Sequence, residues 1–158
     1  MPRGKFRSRK PILSPDPVYE SVLVHKLINY LMVGGKKETA RNIVYRALDV
    51  VKDKTKQEPL TVLETAVKNA SPLLEVRARR IGGANYQIPT EVRPERKAML
   101  AIRWIVEAAR EKQGKPMEVF LSNEILDAFK GEGTSIRKRD EMHRMAEANR
   151  AFAHFTRF

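Results

Sequence analysis

The residue types that could do chemistry in this chain are few, and their spacing argues against catalysis. Its three histidines, His25, His143 and His154, are far apart, and none sits in an HExxH or similar metal-ligand setting. They read as surface or interface residues, and neither a metal nor a cofactor is expected. Gly34-Gly35-Lys36-Lys37 resembles the end of a phosphate-binding loop. Tyr30, however, stands where that loop's first glycine belongs, and no hydroxyl residue follows Lys36. Gly131-Glu132-Gly133 follows a helical pattern instead of a strand, which disqualifies it as a dinucleotide fingerprint. Glu107 lies between Arg103 and Arg110 at helical spacing, an arrangement for ion pairing more than for general acid catalysis. With no cysteine there is no thiolate nucleophile, disulfide or cysteine-held metal. The expectation is a protein that is not an enzyme.

The chemistry that remains is the recognition of anions. Among 158 residues, 31 are Lys or Arg and 19 are Asp or Glu, a formal net charge of +12. A surface this basic suits a polyanionic partner, nucleic acid first. The cations are grouped. Arg3, Lys5, Arg7, Arg9 and Lys10 fall in residues 1–15, which carry no acid and read as an extended basic arm. Lys36 and Lys37 follow a Gly-Gly turn at a helix start, either as a phosphate site beside free backbone N–H groups or as solvated lysines. Arg96, Arg103 and Arg110 recur every seven residues and share one helical stripe with Trp104 beside it. Trp104 reads as core more than as a base-stacking platform. Arg137-Lys138-Arg139 opens another helix, where positive charge opposes the macrodipole. Bound phosphate would explain that placement, and replacing the three residues by alanine would then slightly stabilise the free helix.

These residues must be positioned by helices. Asp16-Pro17 reads as a cap and first turn of helix one, about 17–32, stopped by Gly34-Gly35. Helix two spans about 36–54, and helix three opens at Pro59 and closes at Pro72. The period then changes from helical to alternating at Leu74, Val76 and Ala78. It resumes after Gly82-Gly83 at Tyr86, Ile88 and Val92, so a β-hairpin is expected over about 74–92. An odd loop of three or five residues would set Leu74, Val76 and Ala78 against Val92, Thr90 and Ile88. Arg77, Arg79, Asn85 and Gln87 would then share the wet face. Helix four begins at Pro94 with Met99, Ile102, Ile105, Val106 and Ala109 inward. Helix five runs from Pro116 to Gly131. Thr134 or Ser135 caps helix six, whose inner side would carry Met142, Met145, Ala146, Asn149, Phe152 and Phe155. The expected architecture is mainly α: a six-helix, bundle-like domain over 16–158 with one protruding hairpin and the basic arm. No apolar run approaches a membrane span, and the charged N-terminal stretch leads into no secretory signal core. A reducing cytoplasm and no membrane partner are therefore expected.

A projecting hairpin with guanidinium, amide and aromatic groups (Arg77, Arg79, Arg80, Asn85, Tyr86, Gln87) suits irregular RNA better than a uniform groove. A DNA-architectural protein would want a helix-turn-helix or dimeric reading head, and an RNA-modifying enzyme subunit would want a catalytic set. Five blocks resemble the bacterial small-subunit ribosomal protein seven family: Met32 to Lys37, Arg79 to Pro89, Val92-Arg93-Pro94, Arg103 to Arg110, and His143 to Phe155. The similarity covers nearly the whole chain in order. It implies a structural constituent of the small subunit that is a primary binder of the 3′ major domain of 16S rRNA and nucleates head assembly. It also implies a hairpin near the exit-site tRNA and the mRNA exit channel, contacts with neighbouring head and platform proteins, and a monomer when free. By the resemblance, RNA anchoring falls on the arm, on Gly34, Gly35, Lys36 and Lys37, and on Arg93, Arg96 and Lys97. It continues with Arg137, Lys138, Arg139, Arg144, Asn149 and Arg150, and the stripe residues Arg103 and Arg110 join these as expected rRNA contacts on the charge grouping. The hairpin role falls on Arg77, Arg79, Arg80, Gly82, Gly83, Asn85, Tyr86 and Gln87.

Overall fold

The computed structural model describes residues 13–157, so the expected arm lies almost wholly outside the described residues. The elements are α1 (Val22–Leu31), α2 (Lys37–Thr55), α3 (Pro59–Ala70), β1 (Leu74–Ile81), β2 (Ala84–Glu91), α4 (Pro94–Arg110), α5 (Met117–Lys130) and α6 (Thr134–Ala148), followed by a terminal 3-10 segment (Arg150–Arg157). The mainly helical class with a two-stranded hairpin is as the sequence pattern predicts. All six α-helices contribute to one buried apolar cluster, and α5 packs against α2, α3, α4 and α6. Leu121, Ile125 and Ala128 of α5 are fully enclosed, as are Val44 and Leu48 of α2 and Val62 and Ala66 of α3. Trp104 is 8% exposed, consistent with core. Met99, expected inward, is 40% exposed on the outer side of α4.

Helix one begins later than the capping pattern predicts. Asp16 instead accepts hydrogen bonds from the N–H groups of Val18 and Tyr19, closing an isolated turn. Glu20 then takes a left-handed φ of 48°, which breaks helical continuity, and Ser21 caps α1 by accepting from the Leu23 N–H. The Tyr45 hydroxyl donates to both Asp16 carboxylate oxygens at 2.8 and 2.9 Å, pinning this turn to α2. Burial and that bond to Asp16 push the Tyr45 hydroxyl up to about 12.

The hairpin register overturns the odd-loop expectation. Leu74 pairs with Glu91, Val76 with Pro89, Arg77 with Ile88 and Arg79 with Tyr86, leaving the two-residue loop Gly82-Gly83. Both glycines have positive φ, 57° and 92°. This is a type I′ turn, whose twist matches paired strands and whose positive φ at both central positions glycine adopts without steric cost. Directly opposed residues share a face, so Arg77 and Arg79 stand with Ile88 and Tyr86, whereas Asn85 and Gln87 lie on the other side with Arg80 and Ala78. The separation into one dry and one wet face fails because both sides of the hairpin base are covered: Ile88 and Pro89 are buried on opposite faces.

Helix six also departs from expectation. Its cap position is Gly133, with no capping side chain of its own. The cap comes from α5, where the fully buried Glu124 accepts from both the Ser135 N–H and the Ser135 hydroxyl at 2.9 Å. A Cβ on Gly133 would lie 3.0 Å from that carboxylate oxygen, so the close approach requires glycine. At the other end α6 stops at Ala148, and Phe152 and Phe155 leave the predicted helical stripe for the 3-10 segment. Met145 is correspondingly exposed.

Candidate nucleic-acid interface

The interface is organised by α4. Arg96, Arg103 and Arg110 are exposed on one stripe, and the fourteen helical steps from the first to the last span about 21 Å. At its N-terminal end, Arg96 donates from Nε to Glu75 Oε2 at 2.7 Å, and Arg77 donates from Nε to Glu75 Oε1 at 2.7 Å. Glu75 is 4% exposed and joins β1 to α4 at the hairpin base. Burial alone would raise its pKa, but the hydrogen bonds from Arg96 and Arg77 prevail and hold it below the usual carboxylate value. Both guanidinium groups remain about half accessible.

In the middle of the stripe, Arg103 donates to Glu107 at 2.7 Å, while Lys138 of α6 reaches Glu107 at 3.6 Å and Glu111 at 3.0 Å. At the far end Arg110 donates to the carbonyls of Leu31 and Tyr30, at 3.0 and 3.3 Å. Terminal helix carbonyls have no partner within their own helix, so Arg110 closes α1. The same guanidinium borders a groove of about 250 Å³ with Lys36, Val33, Ile43 and Met117. The Gly34-Gly35 turn and the end of α4 are thus neighbours. The Lys36 and Lys37 N–H groups are not free, because they bond to the Val33 and Gly35 carbonyls. Any anion there meets their ammonium groups instead. His25 has a lowered pKa through burial and the nearby Lys37 charge.

The cluster expected at residues 137–139 divides. Arg137 is exposed and donates to the Thr134 hydroxyl, whereas Lys138 is engaged by Glu107 and Glu111. Arg139 donates to the Asn69 carbonyl at the end of α3 and pairs with Asp140. Lys138 and Arg139 thus tie α6 to α4 and α3, which gives their placement against the dipole a structural reason. Lys138→Ala is accordingly expected to destabilise the fold by about 0.5–1 kcal/mol rather than stabilise it, with Arg137→Ala near neutral. Thermal melts of the two variants measure this directly.

Other predicted residues gather around the hairpin. Arg79, Arg80 and Arg144 are exposed, and with Arg93 and Lys97 at the start of α4 they form no ion pair among the described residues. Asn149 is anchored to the Met145 carbonyl and approaches Gln87 at 3.5 Å, and Arg150 pairs with Glu147. Sequence reasoning missed four contributors. Glu75 orients two arginines but looks like an ordinary polar strand position. Glu124 looks like one more acid on α5. Phe152 and Phe155 stack on Tyr86 with ring centroids 5.3 and 5.4 Å apart. Their spacing of three residues was visible, although it reads equally well as a helical core stripe.

Among the described residues no cluster of His, Asp or Glu is placed to hold a metal, and no helix is long and apolar enough to cross a membrane. A helical scaffold with exposed arginines along one helix and a cationic projecting hairpin defines a basic nucleic-acid-binding structural protein. The chain belongs to the ribosomal protein S7p/S5e family, whose profile matches residues 3–150. It is 64% identical over 153 residues to the small ribosomal subunit protein uS7 of Dictyoglomus turgidum, covering 97% of each chain. It is 56% identical over 155 residues to the uS7 of Carboxydothermus hydrogenoformans, covering 98% of this chain and 99% of the relative. As a member of this family it is a structural, RNA-binding protein of the ribosome and not an enzyme.

Proposed function

We propose that this chain is a structural constituent of the small ribosomal subunit that binds the 3′ major domain of 16S rRNA early and nucleates assembly of the head. In this reading the arm (Arg3, Lys5, Arg7, Arg9, Lys10), Lys36 and Lys37, the α4 arginines with Arg93 and Lys97, and Arg137, Arg144 and Arg150 meet phosphates. The hairpin from Arg77 to Gln87 projects toward the exit-site tRNA and the mRNA exit channel. Neighbouring head and platform proteins cover other faces, and the free protein is a monomer. The observation that carries the reading is the α4 stripe, because its row of exposed arginines runs from the hairpin base to the neighbourhood of the Gly34-Gly35 turn. A folded RNA with phosphates on several helices can meet such an edge at many points, and each contact adds affinity.

Crosslinking the protein to RNA in intact cells tests the proposal. Crosslinks from Lys36, Lys37 and the α4 residues should map to the 3′ major domain, and those from Arg79 to Gln87 to tRNA or messenger. Sites spread over unrelated RNAs, or predominantly on DNA, would overturn it.

A further inference from the structure

Glu75 is buried beneath two exposed arginines, and each of its carboxylate oxygens takes one of them. Oε1 accepts from Nε of Arg77, two residues along β1, and also meets its Nη2. Oε2 accepts from Nε of Arg96 in the first turn of α4. The acid stands on a fixed backbone: it pairs with Thr90 across the hairpin, and the Thr90 hydroxyl donates to its carbonyl at 3.4 Å. One carboxylate thus aligns two guanidinium groups from different elements, and the rest of each fork of N–H donors faces outward.

We propose that Glu75 is a positioning residue for rRNA binding, which holds Arg77 and Arg96 as a preorganised two-pronged clamp for backbone phosphate at the hairpin base. The inference rests on the rRNA-binding reading above and deepens it. A buried ion pair adds little net stability, because desolvation offsets the attraction, so stability alone is a weak reason for a charge at this position. Its geometric effect is larger. A free arginine samples many rotamers, and ordering it on binding costs affinity; a guanidinium fixed at Nε has already lost that freedom on folding. Arg96 also stands where the α4 macrodipole disfavours a cation, and the Glu75 charge offsets this. Removing this negative charge should therefore weaken RNA binding, whereas removing an acid that only faces the phosphates should strengthen it.

The test measures binding of the full chain to the folded 3′ major domain fragment and follows the arginine Nε–H signals of the free protein by NMR. In the unmodified protein the Arg77 and Arg96 Nε–H protons should be protected from exchange with water. Glu75→Gln should expose at least one of them and weaken RNA binding by about 5- to 100-fold, the ordering cost of two long side chains. Glu91→Gln, which removes an exposed acid at the end of β2, should leave binding unchanged or tighter. Arg96→Lys keeps the charge and a donor for Glu75 but loses the planar fork, so it probes the clamp without removing the buried acid. It should weaken binding by about 2- to 10-fold. Undiminished affinity in Glu75→Gln or in Arg96→Lys, or weakened binding with both Nε–H signals unchanged, would overturn the role of Glu75 while leaving rRNA binding intact. Failure of the unmodified protein to prefer the folded fragment over duplex DNA would instead remove the functional reading on which that role rests.

Discussion

Raising salt from 50 to 200 mM is expected to weaken binding of the folded 3′ major domain fragment by about 10³–10⁵, if roughly six to ten phosphates are contacted. Each neutralised phosphate releases condensed counterions, so the slope of log affinity against log salt counts contacts by about 0.7–0.9 each. The structure divides the cations by how much they can contribute. Lys36 and Lys37 form no ion pair among the described residues, so replacing both by alanine should lower the slope by about 1.4–1.8. Lys138 is already neutralised by Glu107 and Glu111, and its replacement should leave the slope nearly unchanged. Arg103 falls between, because RNA must compete with Glu107 for its guanidinium. A salt titration of each variant reads these differences, and equal slopes throughout would contradict the division.

Glu124→Ala is expected to destabilise the protein by about 3 kcal/mol, enough to lower the melting temperature by roughly 10 °C for a chain of this size. The carboxylate is fully buried, caps α6 through Ser135 and accepts from Lys112 at 2.9 Å. Its removal leaves an ammonium group, a hydroxyl and a helix N–H short of an acceptor, along with a void. Glu124→Gln keeps an oxygen for Ser135 but loses the charge facing Lys112, so it should cost about half as much.

The pH dependence follows from the same contacts. Burial raises the Glu124 pKa, but the Ser135 backbone bond, the Lys112 and Ser135 side-chain bonds and the Lys112 charge together hold it below 4.5. A carboxyl more acidic when folded contributes its full stability above the unfolded value near 4.5. That contribution declines as pH falls through the lower folded value. The gap between the unmodified protein and Glu124→Gln should therefore narrow in acid. Denaturant melts at pH 7 and pH 3 measure it, and a constant gap would show that charge plays no part.

Much of this protein is legible without coordinates, because helices and caps are set by neighbours a few residues apart. Pro59 and Pro94 start their helices, Gly131 ends α5 in the left-handed region, and alternation at residues 74–78 marks a strand where predicted. The family blocks and the grouping of cations are likewise properties of the linear order. Catalytic sets depend on residue types and spacing that can be checked one by one, which is why the expectation of no enzyme could be formed from sequence.

Tertiary structure decided what depends on partners far apart in the chain. The hairpin register rested on two glycines accepting positive φ, while the sequence argument relied on a single dry face, which the burial of Ile88 and Pro89 on opposite sides of the base rules out. Which cations remain available was equally hidden: Arg139 meets an Asn69 carbonyl seventy residues away, and Lys138 meets acids on α4. The helix-six cap is a carboxylate on another helix, and Phe155 stacks on Tyr86 only once the terminal segment is brought against the hairpin. Local propensity is a short-range free energy and leaves its mark in adjacent letters. Desolvation, ion pairing and ring stacking act between surfaces that exist only after the helices have packed.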